Sequence, residues 1–279
     1  MIPREVRDLA GKVGISLRMV KGIWQRNARN MINGTLYYDI NLIKNSVCEE
    51  RRNQIFNAMD EIDKESTNEQ IMCKLLRCSK KLFSIEEIFQ GSHGIDYMIV
   101  NKIGINNKML CKSNKYYTYA ACHHCYSNVK KIPGNYIVTS PCYRLEEEYN
   151  EYRKSSFDMF EIVTFDTEEK LAYYQWEYIL FIISILEKAN ISNYHILVAS
   201  DSFMTEDSKK ILYQMLNKSK IEVTVFSPKY QKNIPVASIN FHRKNFISKF
   251  NLTEDVSYDS MCFGIGIDRL KNIILEYSH

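Results

Sequence analysis

Glycine and proline are scarce in this chain, 10 and 5 in 279 residues. That composition excludes a collagen-like repeat and a Gly/Pro-rich disordered chain. No uncharged apolar run reaches the roughly 18 residues that mark a bilayer-spanning helix, so no membrane partner is expected. The first residues, Met1-Ile2-Pro3-Arg4-Glu5, lack the apolar core of an export signal. A cytoplasmic location is therefore expected, and its reducing conditions make the eight cysteines thiols or metal ligands rather than a disulfide framework. Neither sign of charge dominates. A formal net charge of +4 is no strong argument for nucleic acid, but it leaves room for a local basic face. No internal repeat or low-complexity tract is found.

What is present suits a soluble globular protein of one large domain, or one domain with an appendage. Residues 1–35 hold seven Arg or Lys against two acids, with Val13, Leu17, Val20 and Trp24 at near-helical spacing. This reads as a basic amphipathic helix, packed on the body or forming a nucleic-acid or membrane surface, and its basic face would also suit an acidic protein partner. Two more helices are expected within 46–82, one with the stripe Ile55, Met59, Ile62, the next with Ile71, Met72, Leu75, Leu76. Ser84-Ile85-Glu86-Glu87 looks like a capping box opening a short helix to Phe89. Gly91-Ser92-His93-Gly94 then breaks the chain, so residues 1–90 read as a mainly helical segment and 91–279 as a second domain.

That second domain is rich in short alternating runs: Tyr97–Val100, Tyr116–Tyr119, Tyr136–Thr139 after the turn signal Pro133-Gly134-Asn135, His195–Ser200, Ile221–Phe226 and Ile234–Phe241. Helices are expected at Glu168–Lys188 behind Thr167, at Glu206–Lys218 and at Asp268–Tyr277. The predicted fold class is α+β, a mostly antiparallel sheet flanked by helices.

The organising stretch runs from Pro141 to Phe165. It predicts two strands, Cys142–Arg144 and Ser156–Val163, joined by a loop of charged residues, Tyr and Asn. Arg144 and Arg153 stand at the two ends of that loop, and Phe157 follows. Two planar cations beside an aromatic ring suit a purine nucleotide; the same stretch also reads as an ordinary hairpin with a solvated loop. Near the C-terminus, Gly264-Ile265-Gly266 leads from a strand into a helix that begins Asp268-Arg269, and the glycines permit close approach of a backbone or ligand. Cys122-His123-His124-Cys125 offers half of a structural zinc site, but no second close pair follows, which leaves an open site assembled from distant residues. Ser238, Asn240 and His242 alternate along one strand and so share a face.

Tyr143-Arg144-Leu145-Glu146, Arg153-xxx-Phe157-xxx-Glu161 and Gly264-Ile265-Gly266-Ile267-Asp268-Arg269 resemble motifs 2 and 3 of the class II aminoacyl-tRNA synthetases. Ala121-Cys122-His123-His124-Cys125-Tyr126, Cys142–Glu146, Ser200-Asp201-Ser202-Phe203, Ser238–His242 and Cys262-Phe263-Gly264 narrow the resemblance to the amino acid:[carrier protein] ligases, truncated relatives of the atypical zinc-dependent seryl-tRNA synthetases. It covers roughly residues 116–279.

The resemblance implies a class II catalytic domain over 91–279 and a homodimer. It implies Zn2+ held by Cys122, Glu146 and Cys262, with Cys125, Cys142, His123 and His124 as competitors. It implies ATP and Mg2+, with Arg144 on the α-phosphate and carboxylate as the catalytic residue, Arg153 and Arg269 on the outer phosphates, Phe157 under adenine and Asn240 on the amino acid. The reaction it implies is adenylation of glycine or alanine, followed by transfer to the phosphopantetheine thiol of an acyl carrier protein, with tRNA unlikely as acceptor. A stand-alone or tRNA-dependent adenylating enzyme and a non-catalytic regulator are the other readings. Motif 3 reads Ile267-Asp268-Arg269 where these ligases tend to have glutamate before the arginine, and Ile234–Phe241 offers no carboxylate for magnesium.

Overall fold

The computed structural model describes residues 7–8, 10–11, 16, 30–32, 35–103, 111–112, 115–144, 148–199 and 219–278. The expected basic helix with Val13, Leu17, Val20 and Trp24, the expected metal ligand Glu146, the Ser200–Phe203 motif and the expected Glu206–Lys218 helix lie outside these residues.

After β1 (Asn30–Ile32) and β2 (Thr35–Tyr37) come α1 (Ile40–Asn45), α2 (Glu49–Ala58) and α3 (Asn68–Leu82). The α3 start is fixed by a reciprocal cap: Gln70 N–H donates to Thr67 Oγ1 at 3.2 Å, and Thr67 N–H donates to Gln70 Oε1 at 2.8 Å. Ile55, Met59 and Ile62 are buried, but α2 ends at Ala58, so Met59 and Ile62 lie beyond it rather than on a helical stripe; on α3, Ile71 and Leu75 are buried and Met72 and Leu76 partly so. Next come β3 (Ile85–Gln90), β4 (Gly94–Asp96), α4 (Tyr97–Ile103), β5 (Cys111–Lys112), β6 (Lys115–Tyr117) and α5 (Cys122–Tyr126). The remaining elements are β7 (Gly134–Tyr143), β8 (Ser156–Thr167), α6 (Glu168–Lys188), β9 (Tyr194–Val198), β10 (Lys220–Ser227), β11 (Lys232–Arg243), α7 (Lys244–Phe250), β12 (Tyr258–Gly266) and α8 (Ile267–Tyr277).

The main sheet has the order β1-β2-β9-β10-β11-β12-β8-β7-β3, and β4-β6-β5 form a small second sheet. Every pairing in the main sheet is antiparallel except β3 on β7. The α+β expectation, an antiparallel sheet flanked by helices, is what the chain adopts.

Alternation along the strands divides the sheet into two faces. Ile137, Phe160, Ile162, Phe263, Ile265, Ile239 and Ile221 share one core with the buried side of α6 and with Leu270 and Ile274 of α8. Phe263 stacks on Tyr178 of α6 at 5.2 Å between centroids. The expected apolar run Tyr178–Leu186 is indeed buried, and no helix among the described residues is long and apolar enough to cross a membrane. Thr167 occupies the N-cap position of α6, but its side chain makes no capping bond; Glu168 and Glu169 in the first turn complement the helix dipole instead. The opposite face gathers Tyr136, Val138, Cys142, Val163, Phe165 and Cys262 against α4, α5 and α7. The candidate site lies on this second face.

Two local expectations are overturned. Residues 85–90 form β3, not a helix. Pairing with the edge of β7 and stacking of Phe89 on Tyr136, 5.9 Å between centroids, outweigh the capping-box signal. Tyr97–Val100 opens α4 rather than a strand. Val100 and Ile103 are both buried, a helical spacing invisible in the four residues first read as a strand.

Candidate functional site

Glu161 is an acid in the middle of an apolar strand. Its Cα partner across the sheet is Gly264. A Cβ on Gly264 would lie 3.3 Å from Glu161 Cγ and 3.1 Å from Met159 Cε, so the glycine makes room for the acid. The carboxylate in turn holds the start of α5: Ala121 N–H donates to Oε1 at 3.1 Å and Cys122 N–H to Oε2 at 2.9 Å. That contact carries the Cys122 thiol onto the sheet beside Cys262 of β12.

The Cys262 sulfur meets His242 Nε2 at 3.2 Å and the Asn240 amide nitrogen at 3.8 Å, both on neighbouring β11. Ligand atoms of Cys122, His242 and Cys262 all lie within 4.8 Å of one another. The structure thus brings together Cys122, Cys262 and Asn240 from the expected set, and adds His242 and Glu161.

The electrostatics of this cluster follow from burying several potential anions together. Hydrogen bonding from the Cys122 thiol, outweighing burial and helped by His242 and Asn240, holds the Cys262 thiol well below the usual range. The same bond, then burial and the Glu161 charge, push Cys122 well above it. Burial and the Cys262 charge raise the Glu161 carboxyl to about 7 despite its amide donors. The Cys262 thiolate and the Glu161 carboxylate repel each other in this dry space, and among the described residues no ion pair to Glu161 occurs. A divalent cation suits such a donor set, and thiolate, imidazole and carboxylate are the ligands zinc takes.

The competing ligands stand elsewhere. Cys125 and Cys142 are fully buried in the apolar cluster on this face, and burial, as the main cause, raises both thiols. The His123 ring sits edge-on to Tyr119 and Phe246. His124 is buried, which lowers its pKa.

Toward the other end of the strands lie the residues expected to hold nucleotide. The Arg144 guanidinium stands 5.0 Å over the Phe157 ring, and its Nη2 donates to Tyr119 O at 3.4 Å. Arg269 donates from Nε to Tyr152 O at 2.9 Å and from Nη1 to Pro235 O at 3.3 Å. Arg153 is exposed on the loop, bridged through its backbone to Asn150. Arg144 and Phe157 are therefore together, whereas Arg269 is held against the carbonyls of Tyr152 and Pro235. Asp268 pins the start of α8: it accepts from Asp158 N–H at 2.9 Å and pairs with Lys154 at 2.6 Å.

Two functional candidates were missed from sequence, and each had a signal. His242 alternates with Asn240 on one strand. Glu161 is a charge isolated in the apolar run Phe160-Glu161-Ile162-Val163, where a buried acid requires a hydrogen-bonding partner.

Residues 105–278 match the tRNA synthetase class II core domain (G, H, P, S and T). A search of curated protein sequences finds no match. Among solved structures, the chain is similar to M. kandleri SerRS in complex with A. aeolicus tRNASec, with TM-score 0.59 and 14% identity over 81% of this chain and 52% of that one. Seryl-tRNA synthetase from Pyrococcus horikoshii complexed with ATP gives TM-score 0.55 and 14% identity over 99% and 59%. Giardia lamblia prolyl-tRNA synthetase in complex with prolyl-adenylate gives 0.56 and 14% over 87% and 53%. The chain thus spans 52% to 59% of the length of these structures, and identities this low show the fold alone. With a family match over most of its length, the chain belongs to the tRNA synthetase class II core domain family.

Proposed function

We propose that this chain activates an amino acid with ATP, forming an aminoacyl-adenylate and pyrophosphate, and passes the aminoacyl group to the phosphopantetheine thiol of a carrier protein. The observation that carries the reading is one sheet face with two chemistries side by side. Cys122, His242 and Cys262 hold their ligand atoms within 4.8 Å of one another, a donor set that suits a divalent cation, and on the same face Arg144, just past β7, stands over Phe157 of β8, with Arg269 just beyond β12.

In this reading Cys122, His242 and Cys262 would hold zinc, and Glu161 fixes Cys122 in place through its backbone N–H. Bound there, zinc would supply a Lewis-acid position for a neutral α-amine. The chain's own residues do the rest. The pocket fixes the amino-acid carboxylate, an oxygen of which attacks the α-phosphorus as the bond to pyrophosphate breaks. Arg144 offsets the negative charge that gathers in that step. Arg153 and Arg269 bind the outer phosphates, Phe157 receives the adenine, and Mg2+ accompanies the nucleotide. Positioning supplies much of the acceleration, because both reactants are held before they meet. A homodimer and a preference for glycine or alanine rest on the resemblance alone. Glu146, the carboxylate ligand that resemblance implies, has its role proposed without geometry.

Exchange of labelled pyrophosphate into ATP, surveyed across all amino acids with and without a zinc chelator, tests this. Exchange that depends on one amino acid and stops on chelation is expected. No exchange with any amino acid in metal-replete protein would leave a non-catalytic synthetase-like fold.

A further inference from the structure

The site face holds polar chemistry that neither the metal centre nor the nucleotide residues use. Across the sheet, Cys262 faces Asn240 on β11, and Asn240 faces Lys220 on β10. In the adjacent row Gly264 faces Ser238, and Ser238 faces Glu222. Ile221, between the two, packs in the helix-side core, so Lys220 and Glu222 turn to the site face. Lys220 Nζ lies 3.0 Å from Glu222 Oε1, with side chains 4% and 19% exposed.

Such a buried pair is a poor source of stability, since desolvation cancels most of the attraction and apolar residues of similar volume serve as well. Ile221 and Val223 on the same strand show what packing alone selects. Asn240 adds a second observation: its Oδ1 is buried with no hydrogen-bond partner, while its amide nitrogen reaches Ser238 and Cys262. An acceptor left in that state beside the metal centre is placed for a donor that arrives with a ligand.

We infer that Lys220 and Glu222, together with Ser238 and Asn240, form the side-chain subsite of the amino-acid pocket and select a side chain ending in a carboxamide. The inference rests on the adenylation reading and names its substrate class. The pair presents a donor and an acceptor side by side with no net charge. A primary amide answers both at once: its oxygen accepts from Lys220, and its N–H groups donate to Glu222 or to Asn240 Oδ1. A carboxylate would meet Glu222, and an ammonium would meet Lys220. Two strand spacings, about 10 Å, separate β12 from β10. An amine held beside Cys262 therefore leaves the hydrogen of glycine or the methyl of alanine short of the pair. The substrate moves away from the small apolar amino acids that the resemblance implies.

The test is pyrophosphate exchange by the full zinc-replete chain with every amino acid in turn. Asparagine or glutamine is expected to give the highest kcat/KM, with glycine and alanine about 100-fold lower, because a polar pocket left unanswered rejects the shorter analogue. The isosteric change Glu222→Gln removes the repulsion of a carboxylate. It is expected to raise KM for the carboxamide substrate about 10-fold, as loss of one charged hydrogen bond does, and to lower KM for aspartate or glutamate, with kcat little changed. Lys220→Met is expected to raise KM for the carboxamide without helping the acids. A pair that merely ties strands together would alter all amino acids alike, and an unchanged ranking in both variants overturns the inference. So does a wild-type preference for glycine, alanine or serine, which would leave adenylation standing. Exchange with no amino acid at all removes adenylation, and the subsite falls with it.

Discussion

The two faces of the sheet are built from alternate residues of the same strands and do opposite work. On β12, Phe263 and Ile265 enter the core against α6 and α8, while Cys262 and Gly264 look the other way. On β8, Phe160 and Ile162 flank Glu161 in sequence and point away from it. The helix face is apolar and close-packed, so its residues are worth stability. The site face concentrates thiols, acids, an amide and a lysine, whose burial costs stability that internal bonds such as those of Glu161 and Lys220 offset in part. A one-residue slip in register would exchange the faces, so the packing that holds Phe263 also aims Cys262.

Substitutions on the two faces sharpen this contrast. The largest effect is expected from Cys262→Ser. Loss of this proposed metal ligand should lower pyrophosphate exchange by more than the roughly 100-fold typical of losing one of its supporting partners. The unfolding midpoint measured on metal-free protein should hardly move. A fall in ATP binding equal to the fall in amino-acid binding would assign Cys262 to structure instead. Its sequence neighbour behaves the opposite way. Phe263→Ala empties a site between Tyr178 and Phe181 and is expected to cost about 3–5 kcal/mol in denaturant unfolding, without altering the metal bound per folded chain. Stability loss below about 1 kcal/mol would mean the helix face is not the stabilising one.

Gly264→Ala lies on the boundary. The added methyl crowds Met159 and Glu161, for a cost of about 1–3 kcal/mol, and zinc affinity measured by competition with a chelator dye should weaken alongside. Unchanged affinity would mean that Glu161 does not position Cys122 for the metal.

The smallest effect concerns Asp268. Burial pushes its carboxyl up, but Lys154, the Asp158 N–H and Asn68 outweigh it and hold the group below its usual value. A carboxyl depressed in the folded state stabilises above its unfolded pKa, about 3.9, and loses that contribution as pH falls through the lower folded value. Asp268→Asn should therefore lower the unfolding free energy at neutral pH by about 1 kcal/mol, with the gap from wild type closing below about pH 4. A gap constant across that range would remove the ionic part of the interaction.

Much of this architecture was legible before any coordinates. The hairpin pairing Cys142 with Phe157, the helix Glu168–Lys188 and the strand carrying Cys262 follow from hydrophobic period and turn residues. Short apolar runs were not legible. Tyr97–Val100 fits strand and helix equally until Ile103 is included, and β3 exists because the β7 edge needs a partner, a tertiary demand that overrode a local cap. At the site, Cys122 and Cys262 were found by motif, but their approach depends on Glu161 reaching two amides 39 and 40 residues away. Lys220 and Glu222 look from sequence like the wet side of an ordinary strand; only the order of the sheet, which puts them two strands from Cys262, brings them to the proposed subsite.

X-ray absorption at the zinc edge, taken on zinc-replete wild-type chain, bears most directly on the centre from which the functional account is built. One zinc per chain is predicted, with two sulfur neighbours at about 2.3 Å and oxygen or nitrogen neighbours at about 2.0–2.2 Å. A shell of four sulfurs would recruit Cys125 and Cys142 and close the coordination the reaction needs; no stoichiometric zinc at all would contradict the centre outright.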